Sequence, residues 1–146
     1  MAKSRSQRMQ IVLRLAQKAE DDAAQKVKEQ AQLLQQETNQ YNELQSYSQQ
    51  YLQSYTNLRT GVTAQEMINY SGFISRLADA IKEQELKVLK VQQGLDKLKS
   101  FWVVAHQKRQ NLNDLIIRMK KDESLLLDKL LQKELDELAN RPNSLC

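Results

Sequence analysis

The sequence predicts an all-α fold: a long two-helix antiparallel coiled-coil hairpin with a projecting C-terminal helix. Three observations carry this. Aromatic residues make up only 5% of the chain against 27% charged residues, with a mean hydropathy of −0.69, the bias of long helices rather than of a packed globular core. Two apolar series repeat every seven residues, one on each side of a single glycine-bearing interruption. The interruption itself, N-L-R-T-G-V-T-A-Q-E-M-I-N-Y at 57–70, combines helix-stop, turn and helix-start signals. β-Branched residues are sparse and no Asn-Gly or Asp-Gly hairpin signal occurs, which disfavours strands.

The first helix is expected over residues about 8–59. Its d positions are Met9, Ala16, Ala23, Gln30, Glu37, Leu44, Tyr51 and Leu58, and its a positions Leu13, Glu20, Val27, Leu34, Tyr41, Ser48 and Tyr55. All but Glu20, Gln30, Glu37 and Ser48 are apolar, so the face reads as a coiled-coil seam.

The turn is expected at 60–63. Gly61 suits the left-handed conformation that follows a helix end. Thr63-Ala64-Gln65-Glu66 fits a capping box, with Val62 and Met67 at hydrophobic-staple positions. Ser71-Gly72 marks a second weak point, which leaves open whether 64–70 forms a short separate helix.

The second helix is expected over residues about 64–139. Its seam holds Met67, Ile74, Ile81, Val88, Leu95, Trp102, Arg109, Ile116, Glu123 and Leu130 at a, and Tyr70, Leu77, Gln84, Val91, Leu98, Ala105, Leu112, Met119 and Leu126 at d. An isolated helix lacks anything to cover its apolar face, so two adjacent seams satisfy each other. Setting Leu58 opposite Met67 places Trp102 on Ala23, Tyr41 on Gln84 and Glu20 within a turn of Arg109. Met9 then faces Ile116, and residues from about 117 to 139 project by about 35 Å at ~1.5 Å per residue. Leu125, Leu126, Leu127, Leu130, Leu131, Leu135 and Leu138 on that overhang have no partner within the hairpin. Asn140-Arg141-Pro142 ends the helix, with a disordered tail expected at 140–146. Gly94, inside the helix, suits close approach or bending.

The residues offer no catalytic constellation, no cofactor motif and no metal site, and a non-enzymatic protein is expected. His106, the single histidine, has no His or Cys at ligand spacing and reads as part of a solvated helix face. Phosphate-binding glycine motifs are absent, and Asp21-Asp22 and Asp122-Glu123 read as ordinary charged faces. Cys146, the single cysteine, has no partner for an intrachain disulfide, which fits a reducing compartment. The apolar run near the N-terminus, Ile11 to Leu13, is too short for a secretory signal, and the heptad pattern through the basic N-terminus argues against a transit peptide. No segment approaches the ~20 apolar residues of a transmembrane helix.

The net charge of +4 is unevenly placed. Lys3, Arg5, Arg8, Arg14 and Lys18 precede any acid, and the register sets them beside Arg109, Arg118, Lys120 and Lys121. Such a basic open end suits an acidic protein ring as well as phosphate, but no nucleic-acid motif accompanies it and nucleic acid is not expected. Aromatics gather near the turn: Tyr41, Tyr47, Tyr51, Tyr55, Tyr70 and Phe73. Tyr47 and Phe73 flank the seam and, with Leu44, Leu77 and Ala80, form a side strip suited either to packing on its own helix or to docking. Val103 and Val104 lie off the seam and are not explained by it.

Two stretches carry a resemblance: A-Q-K-A-E-D-D-A-A at 16–24 and, above all, N-Y-S-G-F-I-S-R-L-A-D-A-I-K-E-Q at 69–84. With the Trp102 region they make the chain similar, over nearly its whole length, to the FliJ family, the small coiled-coil protein of the bacterial flagellar type III export apparatus. The resemblance implies a cytoplasmic stalk-like protein, similar to the γ stalk of rotary ATP synthases and peripherally associated with the inner-membrane export apparatus. It implies three partners: the hexameric flagellar export ATPase at the open end, the cytoplasmic domain of the large export-gate subunit at a turn-proximal side surface, and export chaperones. The gate-binding pattern falls on Gln40, Leu44, Tyr47, Tyr51, Phe73, Leu77, Ala80 and Gln84, the last standing where a family variant has histidine. The ATPase-binding tip falls on Arg5, Arg8, Arg14, Leu126, Leu127, Leu130 and Leu131. A virulence-type secretion stalk or a homo-oligomeric coiled-coil scaffold shares the same physical features.

Overall fold

The computed structural model describes residues 3–57 and 61–141. They form two helices, α1 (Arg5–Asn57) and α2 (Ala64–Ala139), and among the described residues there are no strands. The helices pack against each other as an all-α antiparallel hairpin. Among the described residues the buried apolar side chains are Ala16, Leu77, Val91, Leu95 and Ile116, each at an a or d position of the seams read from the sequence. A two-helix pair has no interior beyond its seam, so this narrow line is the whole core.

α1 begins at Arg5, earlier than the expected Arg8. The reason is a capping box at its start: the Gln7 amide donates to the Ser4 hydroxyl (3.3 Å) and the Ser4 amide donates to the Gln7 side-chain oxygen (3.0 Å). The Arg8 amide then makes the first turn's bond to the Ser4 carbonyl at 3.1 Å. Leu58 and Arg59, expected to close this helix, lie outside the described residues, as do Thr60, Pro142 and Cys146.

Gly61 has φ +85°, the left-handed region that favours glycine. α2 opens on Thr63, whose hydroxyl accepts from the Glu66 amide at 3.2 Å while its carbonyl accepts from the Met67 amide at 3.1 Å. Ser71 and Gly72 do not interrupt it: α2 is one continuous helix from Ala64.

The chain divides into two compact units, residues 23–102 and residues 1–22 with 103–146. In the first, Tyr55 lies against Tyr70, Tyr51 against Phe73, Gln84 against Glu37 and Gln30 against Val91, the antiparallel order. Gln84 does not hydrogen-bond Tyr41, which the register sets opposite it. Its amide donates to the Glu37 carboxylate (2.6 Å) and carbonyl (3.0 Å), with Lys87 Nζ 3.4 Å from the same carboxylate. Tyr41 is satisfied one turn away on its own helix, accepting from the Gln45 amide at 2.8 Å. Gly94 serves close approach: a Cβ there would lie 2.8 Å from the Gln30 amide nitrogen, which donates to the Val91 carbonyl at 3.1 Å.

In the second unit Glu20 binds Arg109, with Nε donating to the carboxylate at 2.7 Å. His106 is not a bare surface residue as expected, for its Nδ1 lies 3.5 Å from the same carboxylate. Pairing also continues past the expected end of the seam. Buried Ser6 donates through its hydroxyl (2.7 Å) and its amide (3.1 Å) to the two carboxylate oxygens of Glu123. Among the described residues the unpaired part of α2 therefore starts after Glu123 rather than at Ile117, leaving about 24 Å of helix at ~1.5 Å per residue.

Candidate protein-docking surfaces

The aromatic strip belongs to the 23–102 unit. Spacings of three and four residues along each helix bring its rings to one place. Tyr47 and Tyr51 have centroids 4.9 Å apart, Tyr51 lies 4.6 Å from Phe73, and Tyr47 meets Phe73 edge-on at 6.4 Å and 73°. Tyr47 keeps 45% of its surface exposed and Gln40 is exposed, while Leu44, Tyr51, Phe73 and Ala80 are half-buried. Leu77 and Gln84 are buried in the seam, so they support the strip from beneath and present little surface to a partner. Tyr47 beside it, chiefly through the hydrogen bond between their side chains, pushes the Tyr51 phenol above its ordinary value.

Next to the strip, Tyr51, Tyr55, Val62, Glu66, Met67, Asn69, Tyr70 and Phe73 line a cleft of about 410 Å³. Tyr55 and Tyr70 stack at 22° and 5.4 Å, and Tyr51 and Tyr70 are also 5.4 Å apart. Sequence reading put most of these residues on the seam or in the staple and missed the cleft. The signal was present in the spacing Tyr51, Tyr55 on α1 against Met67, Tyr70, Phe73 on α2.

The other candidate surface belongs to the unit formed by 1–22 and 103–146. Leu125, Leu126, Leu127, Leu130, Leu131, Leu135 and Leu138 are each at least half exposed. Arg5, Arg8 and Arg14 are exposed on α1, as are Arg118, Lys120 and Lys121 on α2. Arg109, expected among these cations, is instead bound by Glu20. The hydrogen bond from Arg109 holds the Glu20 carboxyl below its usual value, and the Ser6 hydroxyl and amide do the same for Glu123. Ile11, Leu15, Val103, Val104 and Ile117 are also at least half exposed in this unit. With Gln107, Lys108, Asn111, Leu112 and Leu115, the two valines line a shallow groove on α2.

Among the described residues no cluster of His, Cys, Asp and Glu is arranged to hold a metal, and no helix is long and apolar enough to cross a membrane. What the two surfaces expose is aromatic rings on one and leucines and guanidinium groups on the other.

The family model described as Flagellar FliJ protein matches residues 5–142, which takes in both helices and both surfaces. A Flagellar FliJ protein from Salmonella typhi is 30% identical over 128 residues, covering 87% of this chain and 87% of its own length. No solved structure matches the chain. A match that runs the length of both helices places the chain: the protein belongs to the FliJ family of flagellar proteins.

Proposed function

We propose that the protein is a non-enzymatic, stalk-like component of the bacterial flagellar type III export apparatus, cytoplasmic and peripherally associated with the inner membrane. Its open end, Arg5, Arg8 and Arg14 with Leu126, Leu127, Leu130 and Leu131, engages the hexameric export ATPase. Its aromatic strip, Gln40, Leu44, Tyr47, Tyr51, Phe73 and Ala80 supported by Leu77 and Gln84, docks on the cytoplasmic domain of the large export-gate subunit. Export chaperones are further partners. The flagellar name of the relative favours this reading over a virulence-system stalk or a general scaffold.

The observation that carries the reading is the uncovered leucine stripe on the same unit as exposed arginines. A ring with an apolar, acidic lining would bury the first and attract the second. The test is ATP turnover by the isolated export ATPase with the parent protein and with Arg5, Arg8 and Arg14 all changed to Glu, across a salt series. Reversed charges should weaken stimulation most at low salt and least at high salt, since exposed charges more than about 8 Å apart are largely screened at ~0.15 M. Equal stimulation by both proteins at every salt concentration would remove the arginines from the tip.

A further inference from the structure

The cleft beside the aromatic strip has a composition that the docking reading does not require. Among its described lining residues Glu66 carries the single acidic side chain, and the others are aromatic rings with Met67, Val62 and Asn69. A carboxylate and the faces of aromatic rings share one electrostatic preference: both attract a cation. A pocket for a purely apolar side chain gains nothing from a carboxylate in its wall, and one carboxylate supplies too few ligands for a divalent cation. The chemistry that meets both features is a guanidinium, whose plane stacks on tyrosine and whose fork of N–H donors matches a carboxylate.

The site is held in place from both helices. Glu66 is anchored through its backbone by the bond to Thr63, which fixes the first turn of α2 from which the carboxylate projects. Tyr55 stacks on Tyr70 at 22°, and Tyr51 packs on Phe73 at 34°. The volume of about 410 Å³ lies in the range of small-ligand pockets, enough for a long side chain. Met67, one of the lining residues, is 37% exposed, an apolar shoulder for whatever flanks the entering group.

We propose that this cleft receives an arginine side chain from an apolar segment of a partner protein. The proposal goes beyond the docking reading and does not need it, because its test uses no export protein. The chain carries a net charge of +4, so its overall field repels a cationic peptide and any preference for one must be local.

The experiment is an NMR titration of full-length protein carrying labelled tyrosine. The probes are the capped peptide alanine-leucine-arginine-leucine-alanine and its citrulline counterpart, which keeps the shape and loses the charge. The arginine peptide should shift the ring resonances of Tyr51, Tyr55 and Tyr70, and the citrulline peptide should bind about fivefold more weakly or worse. Glu66→Gln should erase that difference while keeping the helix cap, since the cap uses the Glu66 backbone amide. Tyr70→Leu, which keeps an apolar side chain and removes a ring, should erase most of it as well. Equal binding of the two peptides, shifts confined to other tyrosines, no shift at all, or an undiminished preference in Glu66→Gln would each overturn the proposal.

Discussion

A polar side chain on a coiled-coil seam must find a partner across it or stay hydrated at the edge. Gln30, Glu37 and Glu20 on α1 reach the Val91 carbonyl, Gln84 with Lys87, and Arg109 with His106; Glu123 on α2 reaches Ser6. Three of these are carboxylates held below their ordinary value of 4.5: Glu20 by the Arg109 hydrogen bond, Glu37 by the Gln84 amide, Glu123 by the Ser6 hydroxyl. A carboxyl lowered in the folded state stabilises that state above its unfolded value and loses the contribution as pH falls through the folded one. Thermal melting followed by circular dichroism should therefore be insensitive to these groups near neutrality and should weaken progressively below about pH 4.5. Glu20→Gln should show a shallower acid dependence, and an unchanged profile would remove Glu20 from the account. Gly94 makes a second case. Alanine there gains about 1 kcal/mol in helix propensity. Its Cβ also pushes the Gln30 amide off the Val91 carbonyl, a bond contributing about 1 kcal/mol. Gly94→Ala should leave stability within about 0.5 kcal/mol of the parent, yet should stabilise a Gln30→Ala background by about 1 kcal/mol in urea denaturation.

Both helices start on a hydroxyl that accepts from the amide three residues on, a bond that the side chain returns at Ser4/Gln7, and here the sequence was legible to different depths. The Thr63 start could be read because glycine, staple and box coincide within a few residues. Ser4-Arg5-Ser6-Gln7 obeys the same spacing rule but stands before the first apolar seam residue, Met9, so a reading anchored on the heptads began the helix too late. Glu20 and Arg109 could be paired because both sit at a positions one turn apart in the register. Gln84 was misassigned because side-chain reach, not register alone, decides between Tyr41 and Glu37, and Tyr41 has Gln45 at i+4 on its own helix. His106 was missed for the same reason: as a position flanking the seam it looks solvated until Glu20 leans toward it. Thr63→Ala and Ser4→Ala should each cost about 1 kcal/mol, measurable as lower melting temperature together with faster amide exchange at Glu66 and Gln7 respectively. An unchanged exchange rate at Gln7 in Ser4→Ala would deny the first cap its role.

At the scale of the whole molecule, the two candidate surfaces draw on different units of the chain, so they should be separable by mutation. Among the described residues the seam contacts of the 1–22 and 103–146 unit end at Glu123, whose carboxylate holds Ser6, and Ile116, 2% exposed, is the apolar residue that anchors it. Truncation after Ser124 keeps both and removes the exposed leucines from Leu125 onward, none of which is buried. Side chains that stay at least half exposed contribute little to stability, so the melting transition should barely move, whereas Ile116→Ala should lower stability by about 2 kcal/mol or more. On the proposed function, the truncated protein should lose stimulation of the export ATPase and keep binding to the gate domain. Tyr47→Ala with Phe73→Ala should do the reverse, because one ring is 45% exposed, the other half-buried, and their edge-on contact at 6.4 Å is a small part of the seam. The measurements are ATP turnover of the isolated ATPase and equilibrium binding to the isolated gate domain, each with parent and both variants, alongside circular dichroism of every protein. Full stimulation by the truncated form would dismiss the leucine overhang as the ATPase contact. Loss of helicity in the double variant would return the aromatic strip to intramolecular packing, and loss of both activities in either variant would mean that the two surfaces do not act independently.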